Sequence, residues 1–299
     1  MLDDYTSRQL STGFFAQAQY KPFEFLKLMG GIRYDYFDID VENKIKPEKS
    51  GTANPDVLSP KIGIVVTPYK NINLFANYGT GFRSPAVWEL SPSGRRPEDF
   101  GLDVAEIESF DIGANALLFD RIYLGIDFYH TFLKREVAVN PKTNLYENLG
   151  ESTRKGVDLE ARIYLPYNFQ VHGSYGYVHG RLDNPSVPGA DHIRSLPENV
   201  ATVGLSWSGT YCADHIFGFD FYYNYYGDRP LDTFGIVKEA PFDLFSTRIN
   251  YAYKNWLFSL EGQYIPDELD TQWSYLSGGE VWFLPQPEFQ GMLRVKYRF

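Results

Sequence analysis

The chain has 299 residues, a formal net charge of -10, one cysteine, and 17% aromatic residues that include 23 Tyr and 23 Phe. An acidic chain without a basic stripe is not a nucleic-acid binder, the unpaired Cys212 offers neither a disulfide framework nor a cysteine metal site, and no apolar run is long enough for a transmembrane helix. A mean hydropathy of -0.33 still suits a membrane wall made of strands, because such a strand turns only alternate residues to lipid and gathers its aromatics into girdles.

Period-two alternation dominates the chain. Strands are predicted near 11-20, 24-39, 56-68, 71-82, 104-118, 121-137, 152-165, 168-180, 197-208, 214-227, 240-254, 255-266 and 288-299. Within them Ile122, Leu124, Ile126, Phe128 and Phe132 alternate with Tyr123, Gly125, Asp127, Tyr129 and Thr131. Val157, Leu159, Ala161 and Ile163 alternate with Asp158, Glu160 and Arg162, and Ala201, Val203, Leu205 and Trp207 with Thr202, Gly204 and Ser206. Trp256, Phe258, Leu260 and Tyr264 follow the same rule against Ser259, Glu261 and Gln263. One apolar and one polar face is the signature of a strand with two different environments.

Short connections (near Pro22, Lys70, Asp120, Tyr167, Gly209 to Asp214, and Lys254) alternate with long ones at 40-55, 83-103, 140-151, 181-196, 228-240 and 266-287. Outer-membrane barrels have this rhythm of tight periplasmic turns and longer extracellular loops. The expected fold class is therefore all-β, a transmembrane antiparallel β-barrel. An odd count of about thirteen strands, where single-chain bacterial barrels have even counts, leads us to expect further strands ahead of the first. The opening MLDDYTSRQL carries no secretion signal, as expected if processing removed one or if the chain is a piece of a longer protein. In the last strand Leu293, Val295, Tyr297 and Phe299 alternate with Arg294, Lys296 and Arg298. An amphipathic strand ending in Phe resembles the signal read by the outer-membrane barrel assembly machinery.

A set of motifs occurs in a familiar order. Leu28-Met-Gly-Gly-Ile-Arg-Tyr-Asp35, Leu58-Ser-Pro-Lys-Ile-Gly63, Asn77-Tyr-Gly-Thr-Gly-Phe-Arg-Ser-Pro85 with Glu89-Leu90, and Glu106 to Gly113 come first. Tyr146-Glu-Asn-Leu-Gly150 with Lys155-Gly-Val-Asp-Leu-Glu160, then Leu196, Pro197 and Asn199, and Tyr225-Tyr-Gly-Asp-Arg229 follow. Together they resemble the TonB-dependent receptor family over nearly the whole chain. The stretch Leu284-Pro-Gln-Pro-Glu-Phe289 departs from the family's usual "PGR" before the last strand. The resemblance implies that residues 1-299 are the C-terminal portion of a barrel of roughly twenty-two strands, with no counterpart here of the N-terminal plug domain or TonB-interacting box.

The resemblance further implies an outer-membrane receptor, not an enzyme, that draws on the TonB complex for uptake of a scarce ligand. Ferric siderophores lead, with cobalamin, haem, other chelates and glycans behind. No cofactor is expected. An anionic chelate favours cations and aromatic faces at the loop bases, which makes Arg83, Trp88, Arg95 and Arg96 on one loop and Tyr226 and Arg229 on another the candidate ligand-binding residues; Arg83 and Tyr226 have inward parity. The same parity turns Lys27, Arg33, Lys61, Asn73, Asn77, Asp111, Asn115, Asp158, Glu160, Arg162, His172, Asp220, Asn224 and Glu261 inward, away from membrane lipid, where charges are costly. A passive porin-like channel and an inactive barrel fragment are the alternative readings. A hydrolase would need a partner for His172 and Ser174 that the sequence does not supply, and the spacing of His179, Asp183, Asp191 and His192 fits no metal pattern.

Overall fold

The computed structural model describes residues 4-85, 102-139, 146-185, 187-212, 214-266, 274-277, 279-283 and 286-299. Thirteen long strands form one antiparallel sheet in strict chain order: β1 (Tyr5–Phe23), β2 (Leu26–Asn43), β3 (Asp56–Tyr69), β4 (Ile72–Arg83), β5 (Ala105–Leu118), β6 (Ile122–Val139), β7 (Tyr146–Tyr164), β8 (Phe169–Asp183), β9 (Asn199–Tyr211), β10 (His215–Tyr226), β11 (Phe242–Tyr253), β12 (Trp256–Tyr264) and β13 (Phe289–Tyr297). A fourteenth, short strand, Gly51–Ala53, adds to the side of β2. The thirteen strands expected from alternation are thus all present. Among the described residues β1 and β13 are the two ends of this sheet and do not pair with each other.

The register fixes which side chains share a face. Ile32 lies opposite Pro60, Ile62 opposite Tyr78, Ile112 opposite Phe128, Val203 opposite Gly173, and Leu260 opposite both Ile249 and Leu293. The large apolar residues in this set are exposed, Ile62 at 64% and Leu293 at 71%. A water-soluble sandwich would turn these residues to its core; here the apolar face is the outer one, which is the arrangement lipid requires. Aromatic rings close the band at both levels. Trp207 donates its indole N–H to the Tyr167 carbonyl (3.0 Å) and Trp256 packs on Tyr297 (4.7 Å) near the short turns. Tyr223 packs on Phe245 (5.2 Å) and donates its hydroxyl to Asp243 (2.7 Å) near the long loops. From Phe169 to Tyr177, or Trp256 to Tyr264, the strand rises by about 26 Å, which a tilt of ~40° reduces to a depth of roughly 20 Å.

The opposite face is polar, as parity predicts, and many of its groups bond one another within and across strands. Thr67 donates to Asn73 (2.8 Å), which donates to Asn115 (2.9 Å). Arg33 grips Asp35 with two bonds of 2.7 Å, and Glu261 receives Arg248 (3.2 Å) and Arg294 (3.7 Å). Short turns use the left-handed region, at Phe119 and Asp120, Tyr167 and Asn168, Cys212 and Lys254.

Two departures from the expected boundaries have physical causes. β1 runs through Pro22 to Phe23, with a register shift after Tyr20 that accommodates the proline's missing N–H. Strands also continue well past the apolar band: β2 reaches Asn43, β6 reaches Val139 and β7 begins at Tyr146. Beyond the lipid the outer face is no longer required to be apolar, so pairing persists without the outward apolar half of the alternation; on β2 the inward residues Phe37, Ile39 and Val41 stay buried. Two further hairpins, Arg229–Pro230 with Lys238–Glu239 and Ser274–Ser277 with Glu280–Phe283, lie in stretches expected to be loop. The main apolar core also sits at this end. Phe37, Ile39, Val41, Ala53, Val57, Leu102 and Val104 cluster there, with Tyr5 and Phe82 against them.

Candidate functional site

The expected ligand residues fall at the long-loop end of the sheet, on two separate strands. Arg83 ends β4 opposite Ala105 and is exposed; its neighbour Phe82 meets Phe37 edge-on (5.6 Å), and Pro85 is fully buried. Trp88, Arg95 and Arg96 lie outside the described residues. Tyr226 ends β10 and lies opposite Phe242, the first residue of β11. Their rings stack at 4.6 Å and 11°. Arg229 places its guanidinium 5.3 Å from the Phe242 ring centre and pairs with Glu239.

The structure therefore gathers Tyr226 and Arg229 on one ring, Phe242, which residue-type reasoning did not single out. Its inward parity with Leu244 and Ser246, directly across from Tyr226, is the signal that could have found it. Ile265 and Leu244 complete the apolar base of this pile. The Arg229–Glu239 pair is enclosed, with side-chain exposures of 8% and 11%. Arg229 thus holds its own hairpin closed as well as presenting a cation to an aromatic face.

The hairpin tip is built by Asp232. Leu231 N–H donates to the Val237 carbonyl (2.8 Å), and the Asp232 carboxylate accepts the N–H groups of Val237 (2.9 Å) and Ile236 (3.1 Å). Partial desolvation pushes this carboxyl up, but the backbone N–H groups of residues 234-237 together outweigh it and hold the group below its ordinary value. A depressed folded-state value adds stability above the unfolded pKa of about 4, and that stability is lost as pH falls through the lowered value. Amide exchange at Ile236 and Val237 is therefore expected to be protected at pH 6 and to lose protection below about pH 4, while Asp232→Asn removes the pH dependence. The hairpin also anchors the preceding loop, through His192 N–H to the Thr233 carbonyl and Ser195 N–H to the Pro230 carbonyl, both 2.8 Å.

Below this rim, the inner face carries several hollows, two of which lie in its first nine strands. One of 770 Å³ is lined by Gln17, Met29, Lys61, Gly63, Asn77 and Asp111 among others. The other, 540 Å³, is acidic and lies between Tyr123, Asp127, Asp158 and Glu160. His172 packs against Tyr222 (5.0 Å) and covers Gly204. His179 pairs with Glu198 (3.2 Å) and His192 with Asp191 (3.3 Å), so the two histidines go to different carboxylates. Among the described residues no three His, Cys, Asp or Glu side chains gather as a metal site.

Solved structures of similar architecture include receptors and transporters. The siderophore receptor PiuA from Acinetobacter baumannii superposes with a TM-score of 0.74 at 15% identity, over 98% of this chain and 44% of that one. The ferric yersiniabactin uptake receptor FyuA from Yersinia pestis gives 0.71 at 12% identity, over 99% and 46%. The copper transporter OprC gives 0.70 at 17% identity, over 98% and 48%. The chain thus spans less than half the length of these structures, and at such identities the likeness speaks for the fold alone. No curated protein matches the sequence. Residues 2-264 match the family described as TonB dependent receptor-like, beta-barrel. With its lipid-facing outer surface, its polar inner face and a family match over most of its length, the chain belongs to the TonB-dependent receptor β-barrels of the outer membrane.

Proposed function

We propose that this chain serves TonB-coupled uptake of a metal chelate across the outer membrane, with a ferric siderophore as the leading ligand class. The observation that carries the reading is the family match over residues 2-264. The polar inner wall supports it, since hydrated or paired side chains such as Asn73, Asn115, Lys61 and Asp111 suit a wall that contacts a polar filling. The TonB complex is the energy source in this reading, and the barrel assembly machinery reads the strand ending at Phe299.

Ligand capture falls to the long-loop end. Arg83, Trp88, Arg95, Arg96, Tyr226 and Arg229 are the proposed contacts. Cations with aromatic faces suit a chelate whose iron-bound oxygens carry negative charge. Arg229, paired with Glu239, also keeps Tyr226 and Phe242 stacked in this reading, and Arg95 and Arg96 add further charge.

The test is radioactive-iron uptake by cells expressing the natural gene, offered hydroxamate, catecholate and carboxylate siderophores. Saturable uptake of one class that vanishes when TonB is deleted is expected. Arg95→Ala plus Arg96→Ala should then weaken binding by about tenfold or more, the worth of one or two charge-assisted bonds. Uptake that is unchanged without TonB would overturn the reading in favour of a passive channel.

A further inference from the structure

Asp103 lies two residues ahead of β5, outside the ladder, yet its backbone is paired. The side-chain amide of Asn148, near the start of β7, accepts the Asp103 N–H (2.9 Å) and donates to the Asp103 carbonyl (3.1 Å). One side chain thus supplies the acceptor and the donor that a neighbouring strand would supply, as backbone held against a wall requires. The same amide donates to the Arg135 carbonyl of β6 (2.7 Å).

Arg135 reaches the same point through its backbone. Between the Leu133–Ser152 and Glu136–Gly150 pairs β6 carries one extra residue, and Arg135 there has a φ of 55°, a left-handed conformation that a long side chain rarely adopts. A bulge re-aims the residues it contains. Here it sends the Arg135 carbonyl to Asn148 and the guanidinium to the carboxylates of Asp103 (3.3 Å) and Glu106. Three segments meet in this clasp: the return into β5, the β6 bulge and the start of β7. Exposed ion pairs such as Arg135–Asp103 contribute little alone, so the Asn148 amide, which pairs the backbone itself, is the part that fixes the return. The clasp also borders Arg83. Ala105, two residues beyond Asp103, lies directly opposite Arg83. Leu102 and Val104, on either side of Asp103, are buried in the cluster of Phe37, Ile39 and Val41, and Phe82, the neighbour of Arg83, packs on that cluster.

We infer that Asn148 is a positioning residue for ligand capture: by tying Asp103 to β6 and β7 it holds Leu102 and Val104 in the cluster that seats Phe82, and so sets where the Arg83 guanidinium stands. This role rests on the uptake reading, in which Arg83 is a ligand contact. Asn148 acts through Arg83 and touches no ligand itself. Packed side chains with little free volume carry such a constraint from one strand end to the next. Without the amide, Asp103 exchanges two wall bonds for water, Leu102 and Val104 loosen in their seat, and Arg83 samples more positions.

The test measures binding of radioactive iron by outer membranes that hold the protein expressed from its natural gene. Ferric tris-catecholate, ferric trihydroxamate and ferric citrate are the probes, and titration gives affinity and number of sites separately. Asn148→Ala is expected to weaken the affinity for the probe that wild type binds by about fivefold, on the scale of couplings within one packed network, with the number of sites unchanged. Arg83→Ala alone should weaken it by about tenfold. In that background Asn148→Ala is expected to lower affinity no further, because its effect runs through the guanidinium. Asn148→Asp still accepts the Asp103 N–H but gives up both donated bonds. It is expected to fall between wild type and Asn148→Ala, and it decides the matter if Asn148→Ala does not fold. Full affinity in the Asn148 variants, fewer sites at unchanged affinity, or a loss that adds to that of Arg83→Ala overturns the positioning role and leaves the uptake reading standing. Wild type that binds none of the three probes overturns the uptake reading, and the positioning role with it.

Discussion

Truncating Arg229 to alanine is expected to open the hairpin that it closes, at a cost of about 3–5 kcal/mol, because it strands Glu239 without a partner in an enclosed site. Glu239 Oε1 already lacks a hydrogen bond, so the carboxylate depends on its other oxygen and on the guanidinium beside it. The second loss is the cation over Phe242, 5.3 Å from the ring centre. Arg229→Lys does not restore the arrangement, since an ammonium lacks the planar fork that reaches both the carboxylate and the aromatic face. Replacing both partners, as Arg229→Met with Glu239→Leu, removes the buried charges together and is expected to recover most of the stability. Hydrogen exchange at the Leu231 amide, bonded to the Val237 carbonyl, reads the opening locally. Rapid exchange in the single variant and slow exchange in the double variant is the expected pattern. Slow exchange in Arg229→Ala would mean that the pair does not hold the hairpin. Ligand binding by the double variant then separates the two roles of Arg229: a stable hairpin that no longer binds assigns the charge to capture, and one that still binds assigns it to the scaffold.

How far the sequence discloses this molecule depends on where each residue sits relative to lipid. Inside the membrane every outward residue must be apolar and every inward residue is free to be polar, so period two is imposed physically and all thirteen strands are legible from Ile122 to Phe132 or from Leu293 to Phe299. Past the band that constraint ends. β6 and β7 continue to Val139 and from Tyr146 with register shifts near Glu136, and nothing in their composition distinguishes strand from loop there. The candidate site shows the same division. Tyr226 and Arg229 stand out by residue type, and inward parity was enough to place Tyr226. Their common partner Phe242 shows in the sequence only through its inward parity with Leu244 and Ser246, and the counter-charge Glu239 lies across a connection whose path is set by backbone bonds of the hairpin, which no local pattern announces. The residues His130, Lys155 and His179, directly paired across β6, β7 and β8, are a stronger case. They are far apart in sequence, and only the register of three strands makes them neighbours.

The motif glycines gain a physical reason from the same register, and Gly156 is the sharpest test of it. A methyl group at Gly156 would lie 2.2 Å from Tyr129 Cζ, 2.3 Å from its hydroxyl oxygen and 2.5 Å from the Tyr177 carbonyl oxygen. A ring can rotate away, but a backbone carbonyl in a paired strand moves only if β7 and β8 separate. Gly156→Ala is therefore expected to destabilise the sheet by about 1–3 kcal/mol, as overpacking of a tight site does. Adding Tyr129→Ala recovers only the part owed to the ring. Gly113, with Phe75 Cζ at 2.4 Å and the Ile126 carbonyl at 2.5 Å, should behave alike. Gly30 and Gly81 have no heavy atom within 4 Å of the added carbon, so Gly30→Ala and Gly81→Ala serve as controls of the same chemistry with nothing to strike. Urea midpoints of the folded protein in detergent decide between these cases. Loss at 113 and 156 with no loss at 30 and 81 means that tight inward packing selected those glycines. An equal loss at all four would trace the requirement to the backbone freedom of glycine, and equal tolerance would show that the strands breathe enough to admit a methyl anywhere on the wall.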